Sequence, residues 1–173
     1  PVVSIQKGFE MTKTELKSFL LILKKNNKEI ALRLTEEYIE EYKEILTGVL
    51  GAADFFLFDV EEQSPQTKFM ELDEISKMNI DAKIILLNSP RKAKTKNGDY
   101  PENGYTSLID NSALNKVKAY SFNGYGDYCG LKDALPSNSG GKGLGAALAL
   151  IYFYEKNAFW AYTNKDTNDG VTG

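Results

Sequence analysis

The chain has 173 residues, of which 42% are hydrophobic and 26% are charged. This size and composition are typical of one folded domain with one core, so we expect residues 1–173 to be a single domain and exclude disordered, collagen-like and coiled-coil classes. The net charge of −3 argues against a dedicated binder of duplex nucleic acid, whose surface must be positive.

The first two predicted strands each lead into an amphipathic helix. Residues 2–6 are a short β-rich run, and Thr12 with Glu15 has the spacing of a capping box, which opens a helix. The stripe that this helix is predicted to bury is Leu16, Phe19, Leu20 and Leu23. Residues 29–34 predict the second strand, and Thr35 is placed to cap the next helix.

Two further predicted strands, each followed along the chain by a helix, precede a fifth predicted strand. Residues 55–60 predict the third strand, and the next helix begins at Pro65, since proline is tolerated at the first helical position. Residues 83–87 predict the fourth strand, which a long polar loop follows. A short helix within residues 105–116 then leads to a fifth predicted strand at residues 117–122.

The predicted strands and helices alternate along most of the chain. Strands begin near residues 2, 29, 54, 83 and 117, and this alternation implies right-handed crossovers and a mainly parallel sheet. A complete (β/α)8 barrel needs about 250 residues. The even repeat favours part of a TIM-like barrel, and an open doubly wound sheet is the alternative.

An aromatic hairpin is predicted near the end of the chain. Residues 146–154 form the longest apolar run, and residues 155–158 turn it back onto the aromatic run at residues 159–162. We expect the first of these strands to be buried on both faces and the hairpin to add an antiparallel edge to the sheet. We expect the preceding segments to bury their apolar faces against this aromatic hairpin.

A late motif resembles a known family. The Gly-Asp-Tyr motif at residues 126–128, a glycine-rich gap and a hairpin ending at residues 161–163 resemble the beta-protein family, which is named for a bacteriophage protein and occurs in phages, prophages and mobile elements. Lys7 and Gly8 are similar to the family's first-strand ending. The resemblance covers roughly the last fifty residues best. It implies a barrel-like fold and a mobile-element setting, and it brings no established activity.

The two ends of the chain and the greater length of family members both predict that this chain is part of a longer protein. The chain starts at Pro1 directly before a strand and stops at Gly173 without a closing element, so we expect a fragment, the C-terminal portion of a longer protein. No stretch approaches 18 consecutive apolar residues, so we expect no membrane span. Cys129 is the only cysteine, which favours the reducing cytoplasm.

The chain contains no histidine, and this limits the chemistry that it can perform. Histidine-dependent triads and most zinc sites are excluded. Catalysis would have to use carboxylates, lysine, arginine, tyrosine, hydroxyl groups or a metal bound by oxygen. A divalent cation is therefore the one candidate cofactor.

Polar side chains stand where the predicted strands end, and in parallel α/β folds the ligand site lies at these carboxyl ends. We predict that Lys7 and Arg33 bind an anion and that Asn88 orients the ligand. Asp59 and Asp127 are predicted to act as catalytic acid and base, or to hold the cation. The alternative is that strand ends are polar only because they meet water.

Structural interpretations remain open for two of these residues. Arg33 lies in an otherwise apolar run, and a buried arginine is costly unless it is paired. If Leu32 and Leu34 face the helices, Arg33 faces the barrel interior, where Asp59 is a natural partner. Asp127 could equally belong to a bulge with an Asx-type turn.

Three functional hypotheses follow. The first is a phosphate-binding or nucleotide-binding site at the strand ends, with hydrolysis as the reaction. The second is a non-enzymatic module of phage and host conflict that binds a protein through the basic loop at residues 91–96 or an open sheet edge, which would also permit oligomers. The third is contact with single-stranded nucleic acid through the same loop and nearby tyrosines.

Overall fold

The computed structural model describes residues 1–89, 97–109, 112–126 and 147–164. The strands are β1 (Val2–Ile5), β2 (Ala31–Thr35), β3 (Phe55–Asp59), β4 (Lys83–Leu87), β5 (Gly104–Tyr105), β6 (Gly124–Gly126), β7 (Ala147–Phe153) and β8 (Ala158–Asn164). The α-helices are α1 (Lys13–Asn26), α2 (Ile39–Gly48), α3 (Phe69–Lys77) and α4 (Ser112–Ala119). Short 3-10 helices occupy Glu36–Tyr38, Pro65–Lys68, Asn97–Asp99 and Tyr154–Lys156.

The chain divides into two compact units. The first unit comprises Pro1–Pro90 and Asn111–Gly130, and the second comprises Arg91–Asp110 and Leu131–Gly173. No helix in the described ranges has both the length and the apolar character that a membrane crossing requires.

The first unit is built on a parallel sheet. Its strand order is β1-β2-β3-β4-β6, and every neighbouring pair is parallel. The predicted α/β fold with a mainly parallel sheet is confirmed. The order does not reverse among the described strands, whereas a doubly wound sheet reverses at its switch point, so the strand order is that expected for part of a barrel.

The two faces of this sheet differ in polarity. Leu32, Leu34, Phe56 and Phe58 are fully buried and join the helices in one hydrophobic core. Because side chains alternate along a strand, Arg33 lies on the opposite face, as predicted. We call this second face the open face. In the order of the strands it carries Ser4, Gln6, Arg33, Thr35, Leu57, Asp59, Ile85 and Leu87.

The core lies within the first unit. Its members come from β1 to β4, the helices and the segments between them, and no described residue of β7 or β8 belongs to it. The expectation that the aromatic hairpin is the surface on which the other elements pack is therefore wrong. The helices of the first unit therefore complete the core with the strands. Burial of each large aliphatic or aromatic side chain here contributes about 1.5–3 kcal/mol.

Helix α1 confirms the predicted capping box. Thr12 accepts the Glu15 N–H, and the Glu15 carboxylate accepts the Thr12 N–H at 2.9 Å. Leu16 and Leu20 are fully buried, but Phe19 is 41% exposed, so the predicted stripe is wrong at that residue. Successive helical residues are about 100° apart, which places Phe19 on one flank of the stripe.

The fifth predicted strand is wrong. Residues 112–119 form α4, and the strand is the short β6 that follows. A side chain at Gly126 would place its Cβ 2.6 Å from Leu87, and one at Gly124 would lie 3.0 Å from Ile85. The glycines are needed because the β4 side chains occupy this space, and glycines give no hydrophobic signal in the sequence.

The second unit contains an antiparallel sheet with the order β5-β8-β7. The predicted hairpin is confirmed, with Ala147 paired to Asn164 and Phe153 to Ala158, and Asn157 adopts a left-handed conformation at its turn. The hairpin does not add an edge to the parallel sheet, because its partner is β5. Burial of β7 on both faces is also wrong, since Ile151 is half exposed.

Candidate functional site at the carboxyl edge of the parallel sheet

An arginine–aspartate pair occupies the open face where the strands end. The Asp59 side chain is 0% exposed and that of Arg33 is 12% exposed. Arg33 Nε donates to Asp59 Oδ2 at 2.7 Å, and Arg33 Nη2 forms an ion pair with the same oxygen. Asp59 Oδ1 accepts the Glu61 N–H at 2.7 Å. The ion pair proposed from the sequence is confirmed, and both carboxylate oxygens accept hydrogen bonds.

The guanidinium group also reaches the neighbouring strand. Arg33 Nη1 lies 3.4 Å from Ser4 Oγ and 3.4 Å from Gln6 Oε1. These contacts are longer than the usual 2.9–3.0 Å and are made to neutral groups. Arg33 therefore spans the face from β1 to β3, with Ser4 and Gln6 on one side and Asp59 on the other.

Thr35 adds an unused hydroxyl to the same edge. It pairs in register with Asp59 and, by strand alternation, lies on the same face as Arg33. Its Oγ1 is buried and has no hydrogen-bond partner in the described part of the chain. Because a buried polar group without a partner costs about 1–3 kcal/mol, such a group marks a place where a ligand oxygen would be favoured. We call Ser4, Gln6, Arg33, Thr35 and Asp59 the carboxyl-edge cluster.

Asn88 holds the loop that follows β3. Its Nδ2 donates to the carbonyl oxygens of Glu61 and Gln63, both at 2.9 Å, and the Ser89 N–H donates to Glu61 O at 2.8 Å. Glu61 has a φ of 53°, a left-handed conformation that is unfavourable for a residue other than glycine. Asn88 therefore lies at the predicted edge, where its amide group positions the loop beside Asp59.

The remaining predicted site residues do not join the described cluster. Lys7 is exposed in the turn after β1. The residue of this segment that reaches Arg33 is Gln6, which precedes Lys7. Asp127 lies outside the described residues, as do the basic loop at residues 91–96 and the glycine-rich stretch. The distance between Asp59 and Asp127 is therefore not part of the described geometry.

A hydrogen-bonded pair that the sequence did not predict joins the segments after β1 and β2. The Tyr38 hydroxyl donates to Glu10 Oε1 at 3.0 Å, and the Gly8 N–H donates to the same carboxylate. The hydrogen bond from Gly8 is the main cause that lowers the pKa of Glu10. Burial and the bond to Glu10 raise the pKa of Tyr38 to about 12, so Tyr38 is a protonated donor at neutral pH.

A second ion pair at this edge was also missed. Lys68 is buried and forms an ion pair with Glu36, linking the segment after β3 to the segment after β2. Neither residue stands out in the sequence, because each is one charge among several in a polar stretch. Lysine is seldom buried unless it is paired, and here the pair fixes the starts of two helical segments against each other.

The described residues do not supply a metal centre by themselves. No group of three or more Asp, Glu, Cys or His side chains gathers among them in a way that could hold a metal ion. Asp59 is the only carboxylate of the carboxyl-edge cluster. A site for the candidate divalent cation would need Asp127 or another residue outside the described ranges.

Sequential parallel strands alternating with helices, with polar groups at their carboxyl edge, define the first unit as an α/β protein built from βα repeats. Comparison of the chain with protein-family models, curated proteins and solved structures finds no match. The resemblance to the beta-protein family stays a prediction that depends on residues 126–128 and 161–163.

Proposed function

We propose that the first unit binds a phosphate-bearing small molecule, such as a nucleotide, at the carboxyl-edge cluster. The observation that supports this most directly is the position of Arg33, a largely buried cation on the open face at the edge where parallel α/β folds bind ligands. A guanidinium group presents several N–H donors in one plane, a geometry that matches phosphate oxygens.

Asp59 gives Arg33 a fixed orientation. Its two oxygens are held by Arg33 and by the Glu61 N–H, and Asn88 holds the Glu61 carbonyl. A side chain that is already ordered loses less conformational entropy when a ligand binds. We therefore assign Asp59 the role of positioning Arg33. Hydrolysis is the proposed reaction class, with Asp127 as the carboxylate that would act as acid or base.

Calorimetric titration of the 173-residue chain tests this proposal. We expect pyrophosphate and AMP to bind with saturable heat, and the double variant R33M/D59N to bind at least tenfold more weakly. The matched control is K43M/E40Q, which removes one positive and one negative charge from an exposed helical pair and leaves the cluster intact. Its affinity should equal that of the unchanged chain.

Two results would contradict the proposal. One is the absence of binding to the unchanged chain at millimolar ligand. The other is equal affinity in R33M/D59N and K43M/E40Q, because a ligand attracted only by surface charge would not distinguish these two variants. Circular dichroism should first establish that both double variants are folded.

A second candidate function is a non-enzymatic interaction module of the second unit. Strand β7 is the outer strand of the antiparallel sheet in the described residues, and its sequence ALALIYF contains no charge. Uncharged edge strands pair readily with extended segments of other chains. We propose that such a segment of a protein partner would add to β7.

A labelled strand-forming peptide of alternating valine and threonine, flanked by lysine, provides the test. We expect its fluorescence anisotropy to rise with the unchanged chain and to rise much less with Ile151→Lys, which puts a charge on β7. Tyr154→Lys is the control, because Tyr154 is exposed in the turn beyond the strand. Equal binding to both variants, or no binding to the unchanged chain, would exclude this function.

A further inference from the structure

We infer that the ligand of the carboxyl-edge cluster carries an aromatic ring that stacks on Phe9, so that its class is nucleotides and not inorganic or sugar phosphates. The inference rests on the proposed function, because it places this ring relative to a phosphate group bound at Arg33. It depends on an ordered turn after β1 and on the residue that joins this turn to the cluster.

A tight turn follows β1 and holds Phe9 at the carboxyl edge of the sheet. The Phe9 N–H donates to the Gln6 carbonyl oxygen at 2.8 Å, and Gly8 has a φ of 89°. Residues 6–9 therefore have the pattern of a type II β-turn, whose third residue needs a positive φ that glycine adopts without strain. The Cα atoms of the first and fourth residues of such a turn lie less than about 7 Å apart, so Phe9 is next to Gln6.

Glu10 ties this turn to the segment after β2. Its Oε1 accepts the Gly8 N–H at 2.9 Å and the Tyr38 hydroxyl at 3.0 Å. The hydrogen bond from Gly8 is the main cause that lowers the pKa of Glu10, so the carboxylate is ionised at neutral pH and accepts both bonds. These bonds order the turn, and an ordered group loses less conformational entropy when a ligand binds to it.

Phe9 is the apolar residue of this turn, and the core does not bury it. It is 64% exposed, whereas Met11, two residues later, packs against the core. Its neighbours Lys7, Gly8 and Glu10 are charged or lack a side chain. An exposed apolar residue is common on protein surfaces. The position of Phe9 beside the carboxyl-edge cluster is what indicates a ligand.

Gln6 joins the turn to the cluster. Its carbonyl oxygen accepts the Phe9 N–H, and its side-chain Oε1 lies 3.4 Å from Arg33 Nη1. One residue therefore lies between the exposed ring and the guanidinium group. A nucleotide has a matching arrangement, since one ribose lies between its base and its phosphate. A phosphate group on Arg33 brings the base of the same molecule within reach of Phe9.

Thr35 supplies a further donor for the phosphate end of the ligand. It is 4% exposed, and its Oγ1 makes no hydrogen bond in the described part of the chain. By strand alternation it lies on the same sheet face as Arg33, two residues before it along β2. A buried hydroxyl group of this kind favours a ligand oxygen. The phosphate end therefore lies at β2, and the ring lies at the turn after the neighbouring strand β1.

The size of the expected effect follows from base stacking. Removal of an aromatic side chain that stacks on a base weakens binding between about fivefold and about 150-fold. Every base has a face that can stack, so this contact selects nucleotides as a class and not one base. Ribose 5-phosphate has the sugar and phosphate of AMP and lacks the base, so a comparison of these two ligands isolates the contribution of the ring.

Calorimetric titration of the 173-residue chain with AMP, ribose 5-phosphate and pyrophosphate tests the inference. We expect AMP to bind at least about fivefold more tightly than ribose 5-phosphate. Phe9→Ala should remove this difference by weakening only AMP, whereas Phe9→Trp should keep it. Phe19→Ala is the matched control, because Phe19 is 41% exposed but lies about 9 Å along α1 from the first residue of that helix. Its AMP affinity should be unchanged.

Two results would overturn this inference and leave the phosphate site in place. One is equal affinity of the unchanged chain for AMP and ribose 5-phosphate, with both weakened in R33M/D59N. The other is an equal loss of both affinities in Phe9→Ala, which would show that Phe9 supports the fold of the edge. If none of the three ligands binds, the proposed function is contradicted and this inference falls with it. Because Phe9 and Phe19 are exposed, their variants should keep the native circular dichroism spectrum.

Discussion

Replacing Arg33 with methionine is expected to lower the free energy of unfolding by about 3 kcal/mol, because the change leaves the buried Asp59 carboxylate without its cation. Urea denaturation at neutral pH measures this loss. Asp59→Asn should also destabilise the chain. The double variant R33M/D59N should lose about 1–3 kcal/mol less than the sum of the two single variants, because each single change already removes the shared interaction.

An exposed ion pair supplies the control cycle. Lys43 and Glu40 lie on the surface of α2 with their charged groups 3.4 Å apart. Exposed pairs of this kind contribute at most about 1 kcal/mol, so the K43M and E40Q variants should be close to additive. Additive losses for Arg33 and Asp59 would mean that the two residues do not stabilise the fold as a pair, and Asp59 would then lose its positioning role.

The Arg33–Asp59 pair could be predicted from the sequence because both of its causes are local. One arginine in an apolar strand must face away from the leucines beside it, and a carboxylate on the next parallel strand is its nearest candidate partner. The capping box of Thr12 and Glu15 was predictable for the same reason, since its hydrogen bonds join residues three positions apart.

The features that the sequence did not predict depend on contacts between distant residues. Strand β6 exists where glycines leave room for Leu87, and that requirement is visible only in three dimensions. Phe19 has the spacing of a core residue but is 41% exposed, on one flank of the buried stripe. The aromatic hairpin resembled a core because of its composition, although its partner strand is β5. The Lys68–Glu36 pair likewise joins segments that are far apart in the chain.

A second buried carboxylate stabilises the opposite edge of the sheet. Asp54 lies just before β3, and its oxygens accept hydrogen bonds from Gly51 N at 2.9 Å, from Lys24 Nζ at 2.6 Å and from Ile30 N at 3.1 Å. Burial acts to raise the pKa of Asp54, but these hydrogen bonds outweigh it and lower the pKa below its usual value of 3.8. Asp54 therefore ties the entry to β2, the entry to β3 and the end of α1 together.

Asp54→Asn is expected to lower the free energy of unfolding by about 2–3 kcal/mol at pH 7. Asparagine carries no charge, and its side-chain NH2 group would face N–H groups that now donate to the Asp54 carboxylate. The folded pKa is lower than the unfolded one, so the unfolded chain binds more protons and the stabilisation by Asp54 is complete above about pH 4. It is lost as pH falls through the folded pKa. Urea denaturation at a series of pH values should show the two chains converging in acid.

The location of Asp54 separates stability from binding. The amino ends of parallel strands serve stability and the carboxyl ends carry ligand sites, so Asp54→Asn should leave pyrophosphate affinity unchanged under conditions in which it is folded. Asp73→Asn, which alters an exposed pair with Lys77, is the control and should change the unfolding free energy by less than about 1 kcal/mol at any pH. A constant difference between the unchanged chain and Asp54→Asn from pH 7 into acid would show that Asp54 does not stabilise the fold through its charge.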